Sequence, residues 1–399
     1  MKAGSALPQA QRGLISIFAS TFFELVGYFM LLPLLLLRLK GGDVSTAVAG
    51  LFAATGWLGV FLVTPFASWV TRHLGRRRTL WLAAAIPAVA SLGFGLTESL
   101  AVWFGLKLVS GMASGQRWVL AEAVVAEFSP PQQRGRYVGL FETMVGTTFV
   151  IGPGLLAWVG VDSPWAMRLC IGFFVLGVLG SSLIPPLPEA ADAHEARVGL
   201  HGVWHALHAH PVIMFAGFTG GFFESGITSI LPLYGLALGM GAAAATLLVA
   251  ASGLGSSLMM LPAGMLADRM AHHPLARWGD ARHTRLLLMR ACAVATLVAT
   301  LLVPMVAGVP LLAWPMVFVW GGAGGCLYTL AMIDIGSRES GITLVNSTAV
   351  LVLSYTLGGM AAPAAGAAAL QWSPTLGFPA LMLCMAVLGL LALRIRPVD

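Results

Sequence analysis

The chain has 399 residues, of which 58% are hydrophobic and only 10% charged, with a mean hydropathy of +0.87. Soluble domains carry about 25% charged residues, so these charges are too few to cover a water-facing surface and the composition excludes a soluble globular protein. The net charge of +6 does not indicate nucleic acid, because the basic residues alternate between successive loops instead of gathering in one patch.

Apolar runs able to cross about 30 Å of hydrocarbon need roughly 20 residues each. The first, 13–37, follows the short head "MKAGSALPQAQR" and reads as a retained helix, not a cleaved leader. It carries Glu24 inside "TFFELVGYFMLLPL" (21–34), roughly 16 Å along the helix at 1.5 Å per residue and so near the midplane. Further spans are expected at 45–71, 79–97, 101–126, 137–160 and 166–184. A polar segment, 185–211, separates them from six more at 212–238, 243–267, 285–307, 310–333, 341–369 and 376–393. The expected organisation is an N-terminal six-helix bundle (1–184), a cytoplasmic linker (185–211) and a C-terminal six-helix bundle (212–399).

Within the linker, His201, His205 and His208 fall on one face of a short surface helix, and a solvated face explains them better than a metal site. Cys170, Cys292, Cys326 and Cys384 all lie in apolar runs without metal-ligand spacing, so neither a disulfide framework nor a metal is expected. With the N-terminus inside, seventeen Lys and Arg fall in cytoplasmic segments and three, Arg38, Lys40 and Arg168, outside. This asymmetry sets the orientation, with both termini cytoplasmic.

The two halves repeat. Phe-Phe-Glu recurs in "GFFESGITSILPL" (221–233), which places Glu224 about as deep as Glu24. "SGMASGQRWVLAE" (110–122) aligns with "WGGAGGCLYTLAM" (320–332). "GPGLLA" (152–157) aligns with "APAAGA" (362–367) at the same shift, Pro153 on Pro363. Six helices per repeat is an even number, so the repeats share one topology and are related by an axis along the membrane normal.

On these residues the chain resembles the major facilitator superfamily over essentially its whole length. "GMLADR" (264–269) is similar to the start of that family's signature loop, and "GRRR" (75–78) to its end. In the first-half copy Arg72 stands where the family has Asp, so the resemblance assigns the cytoplasmic locking role to Asp268. "KLVSGMASG" (107–115) is similar to the family's span 4 signature, with Lys107 in place of the usual Arg. "GPG" (152–154) resembles the Gly-Pro core of the exporter motif, although Leu156 and Ala157 replace its trailing glycines. The resemblance implies an all-α polytopic membrane protein of about twelve transmembrane helices in two pseudo-symmetric bundles.

A charged residue at a helix centre costs about 2.5–3.5 kcal/mol on insertion scales, so such residues usually face a cavity. Glu24 and Glu224 are therefore candidates for proton coupling or substrate binding, with a packing hydrogen bond to a neighbouring helix as the competing reading. Lys107, Ser110, Ser114 and Arg117 share one broad face of span 4. Lys107 and Arg117 are candidates to hold an anion or to partner a carboxylate, and snorkelling to the outer interface competes for Lys107. Arg72, Arg76, Glu122, Arg134, Glu142, Asp268, Arg269, Asp334 and Arg338 read as a cytoplasmic gate. Gly152, Pro153 and Pro363 read as hinges of spans 5 and 11.

No P-loop, H-E-x-x-H or G-x-S-x-G pattern is present, so neither ATP hydrolysis nor a membrane-embedded enzyme is expected. The reading is a secondary active transporter working by alternating access, with proton-coupled export of a small amphipathic or cationic compound. Proton-linked transport of a small organic anion or metabolite is the alternative. No cofactor is expected. The partners are the lipid bilayer, a small-molecule substrate and protons, in a monomer of a bacterial inner membrane.

Overall fold

The computed structural model describes residues 6–41, 44, 46–186, 196–226, 230–271, 281–302 and 310–394. Among them there is no strand. A chain in hydrocarbon must satisfy its backbone polar groups internally, which leaves helices as the form for these apolar runs.

The helices in order are α1 (Ala6–Gly41), α2 (Thr46–Val63), α3 (Ala67–Leu74), α4 (Arg76–Leu96), α5 (Leu100–Phe128), α6 (Arg134–Val159) and α7 (Pro164–Ser182). They continue with α8 (Gly199–Ala209), α9 (Pro211–Gly221), α10 (Leu231–Ala237), α11 (Ala242–Ala271) and α12 (Ala281–Leu301). The last three are α13 (Ala313–Arg338), α14 (Gly341–Trp372) and α15 (Gly377–Ala392).

Nine helical runs among the described residues are long and apolar enough to cross a membrane. Three further expected spans fall outside that count. α5 has the length, 29 residues, but Lys107, Arg117, Glu122 and Glu127 dilute its apolar character. α15 is apolar but only 16 residues long. The seventh expected span holds α9, a π-helical turn at Phe222–Gly226, and α10, with residues 227–229 outside the described part. Conversely α2 and α3 form one span, joined by a 3-10 turn at Thr64–Phe66 that contains Pro65. The chain is thus an all-α polytopic membrane protein. The linker holds one short helix, α8, while residues 187–195 lie outside the described part.

The structure packs as two units. The first comprises Met1–Ser129, Met144–Ala206 and Glu339–Ala349; the second comprises Pro130–Thr143, Leu207–Arg338 and Val350–Asp399. In the first unit α1 packs on α7, α2 on α5, and α4 on both α5 and α7. Its core gathers Met30, Leu34, Phe52, Phe94, Trp103 and Phe174. In the second, α13 packs against α11, α12 and α9 around Tyr234, Trp320 and Phe378.

The start of α6 therefore packs with the second unit and the start of α14 with the first. Glycines allow the first of these. A Cβ on Gly135 would collide with the Gly264 carbonyl, and one on Gly139 would lie 2.7 Å from the Met260 carbonyl.

Trp69, Trp81, Trp158, Trp165 and Trp372 are exposed on the protein surface. Trp103, by contrast, is buried against Phe52 and Phe94, and its indole N–H donates to the Thr97 carbonyl at 2.7 Å.

Candidate functional site

Glu24 lies on α1 one turn after Ser20 and Thr21, so all three share a helix face. That face meets α5 and α7. Arg117 Nε on α5 lies 2.6 Å from Glu24 Oε2, and both side chains are about 4% exposed. The rest of the guanidinium is saturated. Nη1 donates to Ser181 Oγ at 3.0 Å and to the Leu80 carbonyl at 3.3 Å. Nη2 donates to Ser20 Oγ at 2.5 Å and to Thr21 Oγ1 at 3.2 Å. Close approach of α7 depends on Gly180, where a Cβ would sit 2.9 Å from Ser20 Cβ.

A buried ion pair repays desolvation only when its remaining donors are bonded, and here four oxygens besides the carboxylate surround Arg117. The sequence expectation set Glu24 at a cavity. In the structure its carboxylate points into the first unit, with its charge matched there.

Lys107 is also on α5 and is 5% exposed. Its ammonium lies 3.5 Å from the Tyr28 hydroxyl, 4.5 Å from the Tyr28 ring centroid and 6.0 Å from that of Phe52. Gly56 on α2 makes the room, since a Cβ there would come within 2.8 Å of Lys107 Cε. Lys107 therefore does not snorkel to water. Among the described residues no carboxylate pairs with it, and the aromatic faces supply its electrostatic stabilisation.

Glu224 occupies the π-helical turn between α9 and α10 and is partly exposed. Ser256 Oγ on α11 donates to its Oε1 at 2.5 Å, and the Tyr355 hydroxyl on α14 also hydrogen-bonds it. Gly324 on α13 brings a helix backbone against it, as a Cβ there would lie 2.7 Å from Glu224 N. Tyr328 stands edge-on to Tyr355 at 4.9 Å. No cationic side chain among the described residues pairs with Glu224. The repeated Phe-Phe-Glu thus yields two different sites: a carboxylate paired with Arg117 in one unit and a carboxylate hydrogen-bonded by the hydroxyls of Ser256 and Tyr355 in the other.

The expected gate residues have the following partners, each within its own unit. Asp334 bonds Arg338 within α13 and, at 2.8 Å, Arg285 Nε of α12, whose Nη2 reaches Ser337 Oγ at 2.8 Å. Asp268 at the end of α11 accepts from the backbone N–H groups of Gly135 and Arg136, both at 2.8 Å, and so caps the start of α6. Arg134 lies in that first turn, and Arg269 is exposed. Arg76 pairs with Glu127 at 2.8 Å, while Arg72 donates to the Ala196 carbonyl at 3.3 Å. Glu122 accepts from the Trp118 indole, and Glu142 is buried on α6. At the expected hinges, Pro153 and Pro363 sit inside unbroken helices α6 and α14. Gly152 lets α6 approach α1, where a Cβ would meet Phe29 at 2.8 Å.

Several participants escaped the sequence reading: Ser20, Thr21 and Ser181 around Arg117, Ser256 and Tyr355 around Glu224, and Arg285 and Glu127. Ser20 and Thr21 had a usable signature, their spacing to Glu24 on one helix face. The others come from distant spans, and hydroxyls are common in membrane helices for packing reasons alone.

Comparison with known proteins agrees with this architecture. A family model described as Major Facilitator Superfamily matches residues 17–346. An MFS-type transporter of Bacillus subtilis, YfkF, is 27% identical over 244 residues, which span 60% of this chain and 62% of that relative, less than two thirds of its length. The MFS-type transporter YcaD of Escherichia coli is 22% identical over 340 residues, covering 82% of this chain and 81% of the relative. Among solved structures, the fold is similar to the E. coli fucose:proton symporter FucP at a TM-score of 0.73 and 13% identity, covering 97% of this chain and all of that one. It is also similar to the human organic anion transporter MFSD10 at a TM-score of 0.68 and 16% identity, with the same coverage.

Proposed function

The chain belongs to the major facilitator superfamily and so works in secondary transport, not as an enzyme; we propose that it couples protons to the export of a small amphipathic or cationic compound, with Glu224 as the acid that exchanges a proton for substrate. The observation that carries this reading is the environment of Glu224. It is partly exposed, sits on a π-helical turn, and has hydroxyls but no cation as partners among the described residues. π turns cluster at functional sites. An intramembrane carboxylate without a fixed counter-ion can accept either a proton or a cationic ligand. Glu24, by contrast, already has its counter-ion in Arg117. The nearby Tyr328 and Tyr355 rings suit an amphipathic or cationic body.

The proposal extends to organisation: two six-helix bundles, 1–184 and 212–399, joined by the linker 185–211 in a monomer of a bacterial inner membrane. The Lys and Arg asymmetry supports cytoplasmic termini, and the relatives named above from Bacillus and Escherichia support a bacterial setting. The test is reconstitution in proteoliposomes with an imposed proton gradient. Glu224→Gln is expected to abolish substrate-driven proton movement; coupling that survives this change removes Glu224 from the mechanism.

A second reading, proton-linked transport of a small organic anion, is favoured by one observation, the buried Lys107 with no carboxylate partner among the described residues. A thermal-shift screen with organic anions and cations separates the two. An anion carrier loses its stabilising ligand in Lys107→Met, whereas a cation exporter loses it in Glu224→Gln.

A further inference from the structure

The family's signature loop supplies an aspartate after span 8, Asp268, and the structure shows what it does: it caps the first turn of α6 through Gly135 N and Arg136 N. At the matching place after span 2 stands Arg72, a cation, which cannot accept from a helix N-terminus. It is turned away, onto the Ala196 carbonyl. Yet the start of α14, the counterpart of α6 in the repeat, is still capped by an acid. Glu127 Oε2, from the last turn of α5, accepts from Gly341 N at 3.0 Å. Arg76 holds that carboxylate as a fork, Nη2 to Oε2 at 2.8 Å and Nη1 to Oε1 at 3.3 Å. Arg76 is itself 5% exposed and lies 5.7 Å over the Phe128 ring. Gly341 has φ +63, a conformation suited to glycine, and α14 has no acidic residue of its own in its first turn.

We infer that Glu127, oriented by Arg76, is the latch of the first half: it takes over from the missing loop aspartate the task of holding the α14 N-terminus. The physical basis is the same as for Asp268. A carboxylate at a helix N-terminus meets unpaired N–H groups and the positive end of the helix dipole. α14 begins in the first unit and continues in the second; on the transport reading proposed above, release of its start from Glu127 is the event that this contact opposes. Glu127 thus acts as a positioning residue that sets how often that release occurs.

The experiment introduces Val345→Cys, a position with 0% exposure one turn into α14, in the full chain reconstituted in nanodiscs. Labelling by a water-soluble maleimide is read by peptide mass spectrometry, with the four native cysteines as internal references. Adding Glu127→Gln is expected to raise labelling of the introduced thiol about two- to fivefold, the range of one anion–dipole contact, while the native cysteines stay at their original rates. Arg76→Gln is expected to raise it in the same direction, and Glu127→Asp to restore part of the protection. Unchanged labelling in Glu127→Gln overturns the inference. An equal rise at the native cysteines also overturns it, because that marks general loosening instead of a latch. Should Glu127→Gln fail to fold, Arg76→Gln and Glu127→Asp decide by the same two readings.

Discussion

Arg117 on α5 and Glu24 on α1 form a buried ion pair at 2.6 Å, and both terminal nitrogens of the guanidinium donate to oxygens of the same unit. The pair joins the helices that also contact α7 and α4, so it stands at the centre of the first unit's packing. The charge of Glu24 is thereby balanced inside the first unit.

Breaking that pair from one side leaves a buried charge without a partner. Glu24→Gln and Arg117→Gln are each expected to lose about 3–5 kcal/mol of stability. The double substitution is expected to lose less than the sum, with a coupling of about 2 kcal/mol. Thermal unfolding of all four proteins in detergent checks the ordering; additive losses would show that the pair contributes nothing as a pair.

The two glutamates are expected to separate by type of defect. Glu224→Gln keeps an acceptor for Ser256 and leaves no ion unpaired, so its unfolding temperature should stay near that of the parent while proton coupling disappears. Glu24→Gln should show the opposite emphasis, a clear stability loss with coupling retained by whatever folds. Proton flux in proteoliposomes beside melting curves measures both.

Asp334 serves two arginines of unequal burial, Arg285 at 9% side-chain exposure and Arg338 at 27%. Arg338→Gln is expected to change stability by about 1 kcal/mol or less, as for solvent-screened pairs. Arg285→Gln should lose about 3 kcal/mol, since Asp334 is buried and Ser337 also loses its donor. Asp334→Asn, which strips both arginines of their carboxylate, should be the most severe of the three. A thermal ranking in any other order contradicts this division of burial.

The α6–α11 approach at Gly135 and Gly264 leaves no space for a side chain, since a Cβ on either would collide with the other's carbonyl. Gly135→Ala or Gly264→Ala is expected to lose about 1–3 kcal/mol through overpacking. Each should also slow transport, because Asp268 can no longer reach both N–H groups of α6. Asp268→Asn, which keeps the shape and removes the charge, should lose only about 0.3–1 kcal/mol. Initial transport rates and melting curves together separate the steric from the electrostatic contribution.

The sequence alone determined the membrane setting, the twelve spans and the internal repeat. Lipid imposes length and apolarity on each span separately, so those properties are written locally in every run from 13–37 to 376–393. It also marked Glu24, Glu224, Lys107 and Arg117 as unusual, because charge in hydrocarbon is costly wherever it stands. What only the tertiary structure decided was the partner of each charge. Helical spacing says which residues share a face and is silent on which helix covers it. The Phe-Phe-Glu pair shows the consequence: Glu24 meets Arg117 of α5, which Ser20 and Thr21 of α1 and Ser181 of α7 also bond, while Ser256 and Tyr355 meet the other glutamate across a π turn with no periodic signature. In the same way Arg72 was legible as a departure from the signature loop. That Glu127, fifty-five positions further along, occupies the vacated role at Gly341 depends on where the ends of α5 and α14 meet in space.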